Sequence, residues 1–181
     1  MEEKDTNYFF DNYIYGWMFS DIKICLDNRA NFACALLICC GIDAIGSFQI
    51  GRGHGFTEFI KRYFPNGYSS NAEFKNIIRH GLVHEYFPKN KSAIGKGHGN
   101  QHLKNFGEGL YIDTEVFFGD FKKAVKNYRN DLKTDINLQK MFVKRYNKIF
   151  LKSNCKTQSS YTSDFQRQVM EQGSSVSVNR Y

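Results

Sequence analysis

The chain has 181 residues, of which 41% are hydrophobic and 16% aromatic, so its length suits one domain with or without a tail and its composition supports a real core. Its formal net charge is +7, from 25 Lys and Arg against 18 Asp and Glu, which fits an anionic partner such as RNA, DNA or an acidic protein. No run of five or more like charges occurs, which excludes a polybasic arm, and only two prolines, Pro65 and Pro88, argue against a loop-rich fold.

The N-terminal stretch MEEKDTNYFF is acidic and has no signal-peptide pattern, so a soluble, cytoplasmic protein is expected. Residues 8–26 carry Phe10, Ile14, Trp17, Met18, Ile22 and Cys25 at helical spacing and predict a first helix with these on its core face. Residues 30–48 are apolar on nearly every side and predict a central, buried helix that contains one acid, Asp43. Its longest apolar run, from Ala33 to Ile42, is ten residues, too short to span a bilayer, so no membrane partner is expected. The cysteines (Cys25, Cys34, Cys39, Cys40 and Cys155) are odd in number, and four of them lie in apolar helical sequence. They read as buried reduced thiols, and with no CxxC pair they do not suggest a zinc site.

The stretch GRGHG at 51–55 is a glycine-rich loop without the spacing or the Lys-Ser/Thr pair of a phosphate loop. Residues 56–64 predict a helix stopped by Pro65, and NGYSS a turn. Ser70 and Glu73 then form a capping box for a helix over 71–86, ended by Pro88. Residues 89–113 hold five glycines and predict a loop or small hairpin with GLYID as one strand. Phe117, Phe121, Val125, Tyr128 and Leu132 restore helical spacing, and a last helix starts near Asp135. From Ser153 onward the chain is polar and reads as a flexible tail. The expected fold is an all-α bundle of about five to six helices over residues 1–152, with a small inserted loop or β-hairpin at about 89–113 and a tail at 153–181.

The helix over 71–86 contains IIRHGLVHEYFP, in which an arginine, two histidines and a glutamate interrupt apolar sequence. On a regular helix Arg79 and His84 project about 140° apart, while His80 and His84 share a face. With Phe74 as reference, Ile77, Ile78, Gly81 and Leu82 form the core stripe, and Glu85 points almost into it. A regular helix thus buries an acid and separates Arg79 from His84. Gly81, a weak helix former, is the expected place for a distortion; loosening before Pro88 is the other.

An arginine grips phosphate with a planar fork and stabilises charge, and a histidine moves a proton near neutral pH. Together they suit metal-free cleavage of RNA, in which a base takes the 2′-hydroxyl proton and the 2′-oxygen attacks phosphorus. Arg79-His80-Gly81-Leu82-Val83-His84 resembles the Arg-x4–6-His motif of the HEPN superfamily, with His80 as the polar residue that commonly follows the arginine. The resemblance spans roughly residues 8–151. It implies a small helical bundle, commonly a homodimer that pools Arg and His from two chains. It also implies an endoribonuclease needing no metal or other cofactor, in a defence or toxin–antitoxin setting with an antitoxin or other partner protein.

Carried onto this sequence, Arg79 binds the scissile phosphate, His84 is general acid or base, and His80 orients the pair or binds backbone. Asp43, an acid in an apolar helix, needs a partner, and Arg79 or a histidine is the natural one. Glu85 either supports the site or pairs with Lys89. The departures from the family pattern are the 89–113 insertion and the tail. The alternative is a catalytically silent HEPN-like bundle that binds nucleotide, RNA or a partner protein; a third reading is a structural dimerisation module.

Two further features compete for attention. His98 and His102 are four apart and would make half a metal site on a helix, with His80 and His84 as the other half, but Gly95, Gly97 and Gly99 argue against a helix there. Lys96 and His98 read instead as contacts to nucleic-acid phosphates from a mobile loop. An aromatic RNA-stacking platform in YFFDNYIYGW lacks any supporting strand pattern.

Overall fold

A helix that is apolar on every side belongs between other elements rather than at an edge. Asn31–Ile50 (α3) is that helix, and Cys34, Ile38, Cys39 and Ile42 in it are fully buried. In the computed structural model, which describes residues 3–50, 55–70, 74–89 and 91–151, α3 packs against Phe19–Asp27 (α2), Gly55–Tyr63 (α4) and Thr114–Asp131 (α7). It meets α4 through two glycines: a Cβ on Gly46 would lie 2.2 Å from the Gly55 carbonyl oxygen, so any side chain at either position forces the helices apart. By length and a mean hydropathy of 1.8, α3 could cross a membrane, although 56% of that window is buried among its neighbours.

The first helix is one rod with a widened middle. Glu3–Tyr8 (α1) passes into a π-helical segment, Phe9–Met18, and then into α2. The wider turns shift the phase of the apolar face. Phe9, Phe10, Ile14, Phe19, Ile22 and Leu26 are buried, but Trp17, expected on the core face, is 45% exposed and rests edge-on against Tyr13, with ring centroids 4.9 Å apart.

One local expectation needs correction and another is extended. NGYSS is a short helix, Asn66–Ser70 (α5), rather than a turn: the Pro65 carbonyl just before it accepts from Tyr68 N–H at 3.1 Å, and Tyr68 is buried. The inserted region contains the expected hairpin, with GLYID as one of its strands, and a third strand beside it makes a small sheet. Ala93–Gly95 (β1) runs parallel to Gly109–Asp113 (β3), and Asn105–Phe106 (β2) runs antiparallel to it, in the order β1-β3-β2. The proposed capping box of Ser70 and Glu73, most of the GRGHG loop and the tail lie outside the described residues. The described chain is therefore mostly helical with a small sheet.

β3 buries Leu110 and Ile112 and delivers Asp113 to the start of α7, where its Oδ1 accepts from the N–H groups of Glu115 and Val116. Asp135 begins Ile136–Tyr146 (α8) in the same way, accepting from Leu138 N–H at 3.0 Å. Arg62 of α4 joins these two helices' ends, reaching Asp131 at 2.9 Å and Asp135 at 3.3 Å. The chain divides into two units between Val143 and Lys144. In the second, the rings of Tyr146 and Phe150 lie 4.8 Å apart on helical backbone.

Candidate functional site

Phe74, Ile78 and Leu82 are buried, and their spacing explains why this segment is helical and which side faces inward. Its first part, Lys75–His80, is π-helical; its second, Gly81–Glu85 (α6), is α-helical. The distortion therefore ends one residue before Gly81, which itself has ordinary helical dihedrals (φ −59°, ψ −53°). Gly81 serves another purpose. Tyr86 adopts a left-handed conformation (φ 65°) and turns the chain back, so that a Cβ on Gly81 would meet the Phe87 carbonyl oxygen at 2.5 Å and the Lys89 nitrogen at 3.0 Å. The returning backbone covers the face that Glu85 would otherwise enter. Glu85, expected almost in the core, is exposed and bonds Lys89 at 3.0 Å.

On the other side of this helix the polar groups form a row. Arg79 Nη2 donates to Asp43 Oδ2 at 2.5 Å, linking α3 to the π-helical segment. Arg79 Nη1 lies 3.1 Å from His80 Nδ1. A guanidinium has no acceptor, so Nδ1 must be the acceptor and the His80 proton sits on Nε2. The His80 ring then stacks on His84, with centroids 5.8 Å apart and planes 14° from parallel. The 140° separation is thus spanned by a third side chain: His80 touches both Arg79 and His84. Asp43 and Arg79 keep 36% and 24% of their side-chain surface, and His84 is exposed.

Cys39 and Cys40 stand one turn before Asp43 on α3. Burial, and then the neighbouring Cys40, pushes the Cys39 thiol well above its ordinary value; Cys40, although exposed on one side, is raised by its partial burial and then by Asp43. Burial also pushes Cys34 up to about 12. Cysteines held protonated in this way are poor nucleophiles, so the chemistry of the row belongs to Arg79 and the histidines.

Lys96 and His98 sit elsewhere, on the segment after β1. Lys96 Nζ donates to the Leu26 carbonyl oxygen at 3.1 Å, where a cation satisfies the C-terminal end of α2, and lies 3.8 Å from Glu115. Its charge is largely spent inside the chain. His98 is exposed; its backbone N–H donates to Asp113 Oδ2 at 2.8 Å, and its ring meets Tyr111 edge-on at 6.2 Å.

The cluster that sequence reasoning missed is centred on His102. Asp113 N–H donates to His102 Nδ1 at 3.0 Å, which leaves the ring proton on Nε2. Nε2 lies 2.7 Å from Tyr68 Oη, and Tyr68 donates its own proton to Asp120 Oδ2 at 3.1 Å. Burial lowers the affinity of His102 for a proton, against the opposing pull of Asp120 and Asp113. Both ring nitrogens are used, so His102 offers nothing to a metal. Among the described residues no group of three or more His, Cys, Asp or Glu is arranged to hold one. One sequence signal was available: an Asp directly before an apolar helix, as Asp113 is, marks a cap.

No family model matches the chain, and no curated protein and no solved structure matches it. The functional reading rests on the row itself.

Proposed function

We propose that the chain is a HEPN-like helical protein that cleaves RNA without a metal ion, working as a homodimer in the cytoplasm, in a defence or toxin–antitoxin setting. The observation that carries the proposal is the continuous row Asp43–Arg79–His80–His84, which links a held guanidinium to an exposed imidazole through His80. Arg79 has five N–H donors, and the bonds to Asp43 and His80 use two; the others suit the non-bridging oxygens of a phosphodiester. His84 takes the proton of the 2′-hydroxyl, the 2′-oxygen bonds to phosphorus, and the P–O5′ bond breaks. The departing 5′-oxygen takes a proton from an acid, for which the second chain's copy of the row is the natural source. The products are a 2′,3′-cyclic phosphate and a 5′-hydroxyl. Val83, 41% exposed on the same helix, and the exposed Cys40 and Ala44 of α3 give a second copy apolar surface to cover.

A second reading, a silent bundle that binds nucleotide, RNA or a partner protein, draws on Asp43. Its pairing with Arg79 already offsets the charge that a phosphate would use. Incubating the pure protein with RNA in EDTA separates the two. The wild type is expected to leave cyclic-phosphate ends, and Arg79→Ala and His84→Ala to lose about a hundredfold or more of the rate, the usual scale of a lost proton-transfer group. Intact RNA with the wild type, or equal cleavage by both variants, overturns the nuclease reading.

A further inference from the structure

The turn after the motif helix exposes aromatic surface at a cost in backbone strain. Helix C-termini that end in a left-handed residue normally place Gly or Asn there, because a Cβ is penalised. Here the position holds Tyr86, at φ 65°. The residue is 55% exposed, and Phe87 is 63% exposed. Tyr86 stacks on Phe32 of α3, with centroids 6.0 Å apart and planes 21° apart, and Phe87 stands edge-on to both rings, at 6.2 Å from Phe32 and 5.7 Å from Tyr86. Gly81 lets the backbone of residues 87–89 lie flat against the helix, so the segment carrying the two rings is held rather than loose. His84, exposed at the end of the polar row, is two residues before Tyr86. Arg29, also exposed and left-handed at φ 56°, opens the turn into α3 three residues before Phe32.

We propose that Tyr86 and Phe87, backed by Phe32, form a stacking platform for an unpaired base next to the cleaved bond, so that the substrate is single-stranded RNA. This rests on the nuclease reading for its substrate but not for its binding. An aromatic face takes any base that has a free π-surface, and bases within a duplex have none to offer, since each is stacked on its neighbours. Two cations suit the backbone, Arg29 at the α3 turn and Arg79 in the row, while Lys89 is already paired to Glu85 at 3.0 Å. Such a site reads strandedness and tolerates sequence, because stacking does not depend on hydrogen-bonding edges.

The test uses the full chain and a fluorescein-labelled 2′-O-methyl oligouridine, which cannot be cleaved, with anisotropy as the readout and a blunt RNA duplex as comparison. Single-strand binding is expected to weaken about tenfold in Phe87→Ala and in Tyr86→Ala, and also in Phe87→Leu, but to persist in Phe87→Trp. Circular dichroism confirms that each variant folds, and Tyr86→Gly, which relieves the backbone while removing the ring, is expected to bind as weakly as Tyr86→Ala. Wild-type affinity in Phe87→Ala, or in Phe87→Leu, overturns the platform. So does a dimer-to-monomer change in sedimentation with binding retained, which assigns the rings to a second copy of the chain. If wild type binds but does not cut cleavable RNA, the nuclease reading falls and the platform stands. If it cuts and Phe87→Ala leaves kcat/KM unchanged, the platform falls and the nuclease stands.

Discussion

The Tyr68–His102–Asp120 cluster and the Asp43–Arg79–His80–His84 row are both chains of polar side chains built around histidine, yet one is mostly enclosed and the other open. Around His102 both nitrogens and the Tyr68 hydroxyl have assigned partners, Tyr68 is buried, and Asp120 is 9% exposed. In the row, Arg79 uses two of its donors, and the last imidazole faces solvent. A polar group with no remaining bonding capacity and little solvent contact fixes a fold; one with spare capacity at the surface can engage a ligand. The same side chain therefore has opposite meanings at His84 and at His102, 18 residues on, and the number of histidines says nothing about either.

The largest effect that separates the regions is on stability. His102→Ala leaves Asp113 N–H without its acceptor, leaves Tyr68 Oη with Asp120 but without its donor, and opens a void between α5 and β3, so it is expected to cost about 3 kcal/mol in urea unfolding. His84→Ala, at the surface, is expected to change stability by no more than about 0.5 kcal/mol while abolishing cleavage. Equal losses in both variants would erase the distinction.

A weaker effect is the pH dependence of that stability. His102 is held neutral in the fold by burial and charges freely once unfolded, so the unfolded state binds more protons below the ordinary histidine value. The stabilisation is full above about pH 6.5 and drains away as pH falls through the window below it. His102→Gln keeps an acceptor for Asp113 and a donor for Tyr68 without titrating. Denaturant midpoints between pH 7.5 and 5 are expected to fall more steeply for the wild type than for His102→Gln; parallel curves would mean His102 is not held neutral.

How much of this was legible depended on the range over which each feature is determined. Periodicity located α3 within two residues at each end, because a helix apolar on every side needs no knowledge of its neighbours. GLYID as a strand was equally local. Trp17 and Glu85 were misplaced for one shared reason: a fixed 100° per residue fails where the helix widens to a π turn or ends early, and both depend on what packs alongside. In the candidate site, an acid in an apolar helix implied a partner, and Arg79 was among those named for Asp43. The Tyr68–His102–Asp120 cluster was invisible because its members come from α5, the segment after β1, and α7, which no spacing rule connects. Lys96 read as a phosphate contact because sequence shows a charge but not the carbonyl of Leu26 that it meets.

The smallest effect expected is the one that most sharpens the comparison. Asp43 and Arg79 form the most geometrically specific contact in the row, and if that pair were structural in the way His102 is, breaking it would be costly. Both partners, however, keep about a quarter to a third of their surface, at 24% and 36%, and water screens such pairs. Asp43→Asn preserves shape and one hydrogen-bond acceptor while removing the charge, so its cost in stability is expected to stay under about 1 kcal/mol and to shrink further in high salt. Its effect on RNA should point the other way. Freed from its counter-charge, Arg79 carries a full positive charge toward the phosphate but is held less firmly in direction by a neutral acceptor, so KM is expected to fall together with kcat. A large loss of stability with no change in either constant would make Asp43 and Arg79 a brace between α3 and the motif helix, and would leave His84 without an arginine to work with.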